Sequence, residues 1–400
     1  MRHNAIPARL RRVEVADIFH KYGDSYRQTH ELPLYQFRAM RSIEICRTKE
    51  LGGHVDKCDT CGEEKISYNS CRNRHCPKCQ FLKKEKWILA RTEDLLPINY
   101  FHVVFAIPGE INPLALRNQK IIYNILFKAA KETLLELAKD PKHMGADIGF
   151  ISILHTWGQN LMDHPHIHFI VTGGGLSPDG KKWINSRKDF FISIKVISRL
   201  FRGKFLDYLK KSFYSGELKF PGNISALQNE KALKEYLEPL YRKEWIIYSK
   251  PPFKNPETVI EYLGRYTHRV AISNNRIIEI KDGKITFSWK DYADNNKRKE
   301  MELDAAEFIR RFLLHILPDK FVKIRYYGFL GNRNHKTIFK KCCELLKAAP
   351  DKSETKKKDE KTWQELLLDL TGFDVTICPF CKKGKMFHKE KLLPERCCSP

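Results

Sequence analysis

This 400-residue sequence predicts an α+β fold: an antiparallel sheet with flanking helices, preceded by a helical, cysteine-rich module. Three observations carry that expectation. Apolar residues recur with helical period near the N-terminus and with strand period from Tyr100 onward. The strands and helices of the middle do not alternate as strict βαβ units, which argues for antiparallel pairing. Half of the twelve cysteines fall in close pairs with two residues between them, Cys58/Cys61, Cys76/Cys79 and Cys378/Cys381.

Each element has its own signal. Ile6 to Thr48 reads mostly as helix, through the beats Val13-Val15-Ile18-Phe19 and Leu34-Phe37-Met40-Ile43, and Leu51-Gly52-Gly53 breaks it. Lys83–Leu96 is a further helix ended by Pro97. Phe101–Ile107 is a strand closed by Pro108-Gly109, and Asn118–Ala138 a helix. Ile148–Thr156 and His166–Thr172 are strands joined by a short polar loop, the second ended by Gly173-Gly174-Gly175. Asn255-Pro256-Glu257 starts a helix holding Val259–His268, with a capping residue, proline in the first turn and an acid near the positive end. Arg276–Ile280 and Ile285–Trp289 form a hairpin turning at Asp282-Gly283. Glu307–Leu317 is helical, Lys323–Phe329 extended, and Trp363–Leu370 a short amphipathic helix. The expected domains are 1–96, 97–300 and 301–350, a charged linker 351–362, and a tail 363–400.

Composition narrows the function. Lys and Arg number 72 against 48 Asp and Glu, a formal net charge of +24. A chain this basic repels itself unless a polyanion is near, so nucleic acid is the leading partner. An anionic membrane would fit the charge alone. However, no apolar core follows the arginines of Met1–Leu10, and Tyr100–Pro108 and Ile121–Phe127 are too short to span a bilayer. The expectation is a soluble, intracellular, cytoplasmic protein with no membrane partner. At 42% hydrophobic residues the chain can bury a core. Twelve cysteines in so long a chain, paired at short spacing, argue for metal instead of a secreted disulfide scaffold.

Cys58-Asp-Thr-Cys61 and Cys76-Pro-Lys-Cys79 are two knuckles separated by the fourteen residues Gly62 to His75. Four thiolates from two tight turns make the tetrahedral set of structural Zn²⁺, with no open position for chemistry. His54, Cys71 and His75 lie in the same block. One of them replaces a cysteine, or together they help hold a second ion, or Cys71 and His75 serve packing, which is the preferred expectation. Arg72, Arg74, Lys78, Lys83, Lys84 and Lys86, opposed locally by Glu85, suit contacts to DNA phosphates. At the other end, Cys378-Pro-Phe-Cys381 and Cys397-Cys398 flank fifteen residues, Lys382 to Arg396, and suggest a second small zinc site in which His388 is an alternative ligand. Cys46, Cys342 and Cys343 read as structural.

In His164-Pro-His166-Ile167-His168, strand geometry points His166 and His168 to one face and Ile167 and Phe169 to the other. Two imidazoles side by side on a rigid strand make half a site for a divalent cation. Gln159, His164 and His268 are candidate third ligands, and His155 on the neighbouring strand is another if it turns inward. Tyr262 and Tyr266, four apart on a helix, share one face so that both phenols can reach one place. Arg265, Thr267, His268 and Arg269 around them suit a phosphodiester chain better than a packing stripe.

His166-Ile167-His168 followed by Tyr262-x-x-x-Tyr266 resembles the HUH endonuclease superfamily, which nicks single-stranded DNA with a tyrosine nucleophile. More narrowly, the chain resembles the two-tyrosine rolling-circle transposases of bacterial insertion sequences, the insertion sequence ninety-one family. The resemblance rests on Cys71-Arg-Asn-Arg-His75-Cys-Pro-Lys-Cys79, Trp157-Gly-Gln-Asn160, Tyr262-Leu-Gly-Arg-Tyr266 through Ser273, Phe308-Ile-Arg-Arg-Phe-Leu-Leu-His315 and Arg325-Tyr-Tyr-Gly328. It implies an HUH-type antiparallel sheet behind a helical zinc-binding, DNA-recognition module. It also implies Mg²⁺ or Mn²⁺ on His166, His168 and a third ligand, and catalytic tyrosines Tyr262 and Tyr266. Single-stranded DNA at the ends of a mobile element and at target sites is the implied partner, with Arg72, Arg74, Lys78, Lys83, Lys84, Arg265 and Arg269 as contacts, and the implied setting is the bacterial nucleoid. A rolling-circle replication initiator or relaxase of the same superfamily, and a non-catalytic zinc-dependent regulator, are the alternatives.

Overall fold

The computed structural model describes residues 13–92, 95–187, 191–253, 258–259, 262, 264, 270–292, 294–347 and 362–395. They fall into two compact units, each assembled from separate stretches of chain: 1–85 with 268–316 and 352–400, and 86–267 with 317–351. Spatial grouping thus departs from sequence order, and the hairpin and helix of 270–316 pack with the first unit. The architecture is α+β with antiparallel sheets throughout.

The strands are, in order, β1 Gly53–Cys58, β2 Glu64–Tyr68, β3 Tyr100–Ala106, β4 Asp147–Trp157, β5 Asp163–Leu176 and β6 Trp183–Asn185. They continue with β7 Ile247–Phe253, β8 Ile277–Lys281, β9 Lys284–Asp291, β10 Lys297–Asp304, β11 Ile324–Tyr327 and β12 Met386–Leu392.

The second unit is built on a sheet of order β11-β4-β5-β3-β7, with β6 on β5. Period-two alternation gives this sheet two apolar faces. Phe101, Val103, Phe105, Phe150, Ile167, Phe169 and Val171 point to one side. There the helices Gln119–Lys139 and Ile194–Tyr214 cover them; the first presents Ile122, Leu126, Phe127, Ala130 and Leu134 at helical spacing. Tyr100, Ile151, Ile153 and Ile170 point to the other side, with Val259, Phe329 and Leu330 over them. Gly173-Gly174-Gly175 does not end the strand as expected: β5 runs through it to Leu176. Neighbouring backbones close in here, so a Cβ at Gly174 would lie 2.7 Å from the Ile184 carbonyl oxygen and one at Gly175 2.3 Å from that of Asp147. The glycines permit pairing on both edges of β5 where the sequence suggested a stop.

In the first unit the stretch expected to be mostly helical forms two helices, Val15–Thr29 and Leu34–Glu44, divided at Pro33. Phe19 meets Phe312 of the helix Ala305–Leu314 edge to face at 5.3 Å. The β8–β9 hairpin turns at Asp282-Gly283, both with positive φ (47° and 77°), the signature of a tight primed turn, and β10 adds to β9. A three-stranded ribbon, β12-β1-β2, completes the unit. No described helix is long and apolar enough to cross a membrane.

Candidate active site

Antiparallel register places His155 of β4 directly opposite His166 of β5, with His168 one step further along the same face, opposite Ile153. Each of the three histidines has a ring nitrogen within 4.8 Å of the others'. His155 and His168 are buried and His166 is half-buried. Nδ1 of His166 lies 2.6 Å from the His164 carbonyl oxygen. A carbonyl only accepts, so Nδ1 carries the proton and Nε2 is left with the lone pair a cation needs. Three imidazoles converging on one face form a donor set that suits a divalent ion.

The expected orientation of this strand is what the structure shows: Ile167 and Phe169 are fully buried in the opposite face. The third donor in the group is His155. His164 is exposed, its ring 4.9 Å from that of His166, and stands outside the group. Gln159 sits in the turn closed by the Gly158 amide on the Met162 carbonyl, 2.9 Å. His268 lies outside the described residues.

One participant went unrecognised in the sequence. His102 of β3, 2% exposed, places Nε2 2.9 Å from Nδ1 of His168. Its Nδ1 lies 3.1 Å from the Tyr262 hydroxyl. The Tyr262 ring meets His102 edge-on at 4.8 Å and Phe253 at 5.0 Å, so the phenol is held from two sides. A hydrogen-bonded row therefore runs from Tyr262 through His102 to His168. Burial, then the positive charge of Lys250, push His102 down to about 3, so it is neutral at physiological pH. The only sequence signal for it is a polar residue inside an otherwise apolar strand, Tyr100–Ala106. Tyr266, Arg265 and Arg269 lie outside the described residues.

The cysteines regroup. The expected tetrad Cys58, Cys61, Cys76 and Cys79 is not one cluster. Cys76 and Cys79 converge with Cys46 and Cys71, while Cys58 and Cys61 converge with Cys378 and Cys381. The physical reason is the β1–β2 hairpin: it carries the first knuckle off along the ribbon, while the turn after Cys71 brings the second back to Cys46. In the first cluster Cys46 and Cys71 Sγ lie 3.5 and 3.6 Å from Cys79 Sγ. Zinc–sulfur bonds of about 2.3 Å set tetrahedral sulfurs roughly 3.8 Å apart, so the donor set fits zinc. Cys46 and Cys71, expected to be structural or packing residues, are thus members of the cluster, whereas His75 and His54 are not. His75 accepts from Arg74 Nε at 3.2 Å, and His54 faces Asp56 at 3.3 Å. His388, the alternative ligand of the tail, lies 3.9 Å from the same Asp56. Cys397 and Cys398 lie outside the described residues. Cys342 is fully buried.

Of the expected DNA contacts, Arg72 and Lys83 are exposed, and Lys83 Nζ donates to the Arg72 carbonyl at 2.6 Å. Arg74, Lys78 and Lys84 are half-buried; Lys78 pairs with Glu14 and Lys84 with Glu85.

This arrangement can be set beside known proteins. Residues 18–107 match the family described as "Transposase zinc-binding domain", and residues 149–337 that described as "Putative transposase". The first stretch contains the Cys46 cluster and His102, the second the three-histidine group and Tyr262. The chain is 50% identical over 379 residues to "Putative transposase y4qJ" of Sinorhizobium fredii, covering 94% of this chain and 95% of that protein. It is 30% identical over 321 residues to the "Transposase for insertion sequence element IS801" of Pseudomonas savastanoi pv. phaseolicola, covering 78% and 76%. No solved structure matches it. The chain belongs to the insertion sequence ninety-one family of transposases, with their N-terminal zinc-binding domain.

Proposed function

We propose that this transposase nicks and rejoins single-stranded DNA through a 5′-phosphotyrosine, with Tyr262 and Tyr266 as nucleophiles, during rolling-circle transposition. The observation that supports this most is the hydrogen-bonded row from the Tyr262 hydroxyl through His102 to His168, beside His155 and His166. The three histidines would hold Mg²⁺ or Mn²⁺, which supplies positive charge against the developing charge of a scissile phosphate.

The remaining chemistry belongs to the side chains. With a cation held at its Nε2, His168 would keep its proton on Nδ1 and donate it to Nε2 of His102. The His102 proton then resides on Nδ1 and is donated to the Tyr262 oxygen. A donor at that oxygen favours the phenolate, which otherwise forms only near pH 10. The tyrosine oxygen attacks phosphorus in line; its bond to phosphorus forms as the bond to the 3′ oxygen breaks. The phenolic proton passes to solvent water as the phenolate forms, and the departing 3′ oxygen takes one up from water, leaving a 3′ hydroxyl. The phosphotyrosine conserves the bond, so a second 3′ hydroxyl rejoins the strand by the reverse attack without a nucleotide cofactor. With Tyr266 as second nucleophile, one site holds one cut end while cutting another.

The net charge of +24 suits a polyanionic substrate at the nucleoid. Arg72, Arg74, Lys78, Lys83, Lys84, Arg265 and Arg269 are the proposed contacts to DNA at the element's ends and target sites. Cys46, Cys71, Cys76 and Cys79 are the proposed zinc ligands of the N-terminal domain.

The test mixes the protein with labelled single strands from the ends of its own locus and Mn²⁺ or Mg²⁺, and reads a denaturing gel for a covalent adduct. The adduct is expected in wild type and absent in Tyr262→Phe/Tyr266→Phe and in His166→Ala. Binding without an adduct under either metal would overturn the reading in favour of a zinc-dependent DNA-binding protein. His102→Ala is expected to slow adduct formation on the order of 10²-fold at pH 7. The rate should recover as pH approaches that of the free phenol, and a loss independent of pH would reduce His102 to a packing role.

A further inference from the structure

Cys378 and Cys381 lie in neither matched stretch of the chain, yet their partners are inside the zinc-binding domain. Sγ of Cys58 is 3.7 Å from Sγ of Cys381, and Sγ of Cys61 is 3.7 Å from Sγ of Cys378. All four sulfurs lie within 4.8 Å of one another. These separations are too long for disulfides, whose sulfurs are about 2.05 Å apart, and close to the roughly 3.8 Å edge of a zinc–thiolate tetrahedron. Cys58 is 2% exposed and Cys378 fully buried.

The two turns are built alike. The Cys58 amide donates to the Glu63 carbonyl at 3.0 Å, and Gly62 donates back to the Cys58 carbonyl at 3.2 Å. In the other turn the Cys378 amide donates to Gly384 at 2.8 Å, and Lys382 donates back to Cys378 at 2.9 Å. The residue after each second cysteine is left-handed, Gly62 at φ +74° and Lys382 at +58°. Amides also point at sulfur, Thr60 to Cys58 at 3.4 Å and Gly384 to Cys381 at 3.3 Å, as suits thiolates. Asp59 ties the turns together: its amide donates to the Lys385 carbonyl at 3.1 Å, and Oδ1 accepts from the Lys385 amide at 2.9 Å. Gly384 approaches so closely that a Cβ there would lie 2.5 Å from Cys58 Sγ. Beyond the turns β12 pairs with β1 from Cys58↔Met386 to Gly53↔Leu392.

We propose that Cys58, Cys61, Cys378 and Cys381 bind a second structural zinc ion that fastens the C-terminal segment to the N-terminal zinc-binding domain, completing a ribbon whose two halves come from opposite ends of the chain. Zinc here closes a loop of more than three hundred residues, where the conformational freedom it removes is large.

Zinc per chain in the purified full-length protein, counted by mass spectrometry of the metal, tests this. Wild type should hold two equivalents. Cys58→Ser/Cys61→Ser and Cys378→Ser/Cys381→Ser should each hold one, and the quadruple variant combining them should still hold one. Cys397→Ser/Cys398→Ser should keep two. A fall to zero in the quadruple variant, or loss of an equivalent in the Cys397/Cys398 variant, would overturn the proposal. A second measurement avoids serine substitutions that fail to fold. A protease site is placed within 351–361 of the otherwise wild-type chain, which is then cut. The fragment carrying β12 should stay bound through native purification and be released by a chelator. Release before chelation, or retention after both zinc equivalents have been removed, would overturn the proposal.

Discussion

In the six-stranded sheet every residue of β5 from Ile167 to Leu176 is buried, whereas in the ribbon β2 buries none of its five residues and β12 none of its seven. The first sheet has apolar cover on both faces, and hydrophobic burial suffices to fix its register, since a one-residue slip would send its imidazoles into the core and its phenylalanines out. The ribbon has three short strands, of which only β1 buries any residue (Gly53, Val55 and Cys58), too little apolar surface to stand alone. Its order has to come from thiolates and the backbone of two tight turns. Burial therefore holds the rigid platform beneath the histidines, and coordination chemistry is assigned to the place where two distant pieces of chain must meet.

The comparison can be broken most forcefully in the sheet. Phe169→Ala removes a fully buried ring from the face opposite the histidines and should cost about 3–5 kcal/mol, read as a lower denaturant midpoint. Zinc content should not change; a loss of zinc in the same variant would show that sheet and ribbon are not held independently.

Asp163 offers a smaller handle on the same sheet. Neither carboxylate oxygen has a hydrogen-bond partner among the described residues, and burial pushes its pKa up to about 7. The folded form thus keeps a proton that the unfolded chain loses at roughly pH 4. Stability is full below that value and declines as pH rises through the window up to about 7. Asp163→Asn should raise the thermal midpoint at pH 8, by a gain of at most a few kcal/mol, and leave it nearly unchanged at pH 4. Equal shifts at both pH values would refute this account.

The smallest expected effect lies in the ribbon. Gly384→Ala presses a methyl group onto Cys58 Sγ and Asp59. Zinc competition with a chromophoric chelator should show one equivalent held on the order of tenfold more weakly, with the denaturant midpoint of the sheet unmoved. Unaltered zinc affinity would mean that the two turns do not meet around an ion.

Much of this was legible in the sequence because it is local. Strand period sets His166 and His168 on one face and Asp282-Gly283 announces its hairpin, whereas the expected pairing of Tyr262 with Tyr266 lies outside the described residues. The glycine run at Gly173 misled because the same residue type marks both a chain break and a close approach of strands. The helices Ile194–Tyr214 and Glu230–Arg242 went unassigned, though the second has a clear cap, Asn229 accepting from the Lys231 and Ala232 amides at 2.9 and 3.2 Å.

The sequence by itself determined which residue types stand at fixed short spacing: the histidine pair, the tyrosine pair, and the cysteines two to a turn. Tertiary structure alone decided their companions. His155 and His102 reach His168 through the register of β4 and β3 against β5, and Cys58 and Cys61 meet Cys378 and Cys381 through the pairing of β1 with β12. Spacing along a chain constrains only neighbours within a turn or a strand, whereas the partners across a sheet are chosen by which faces bury together.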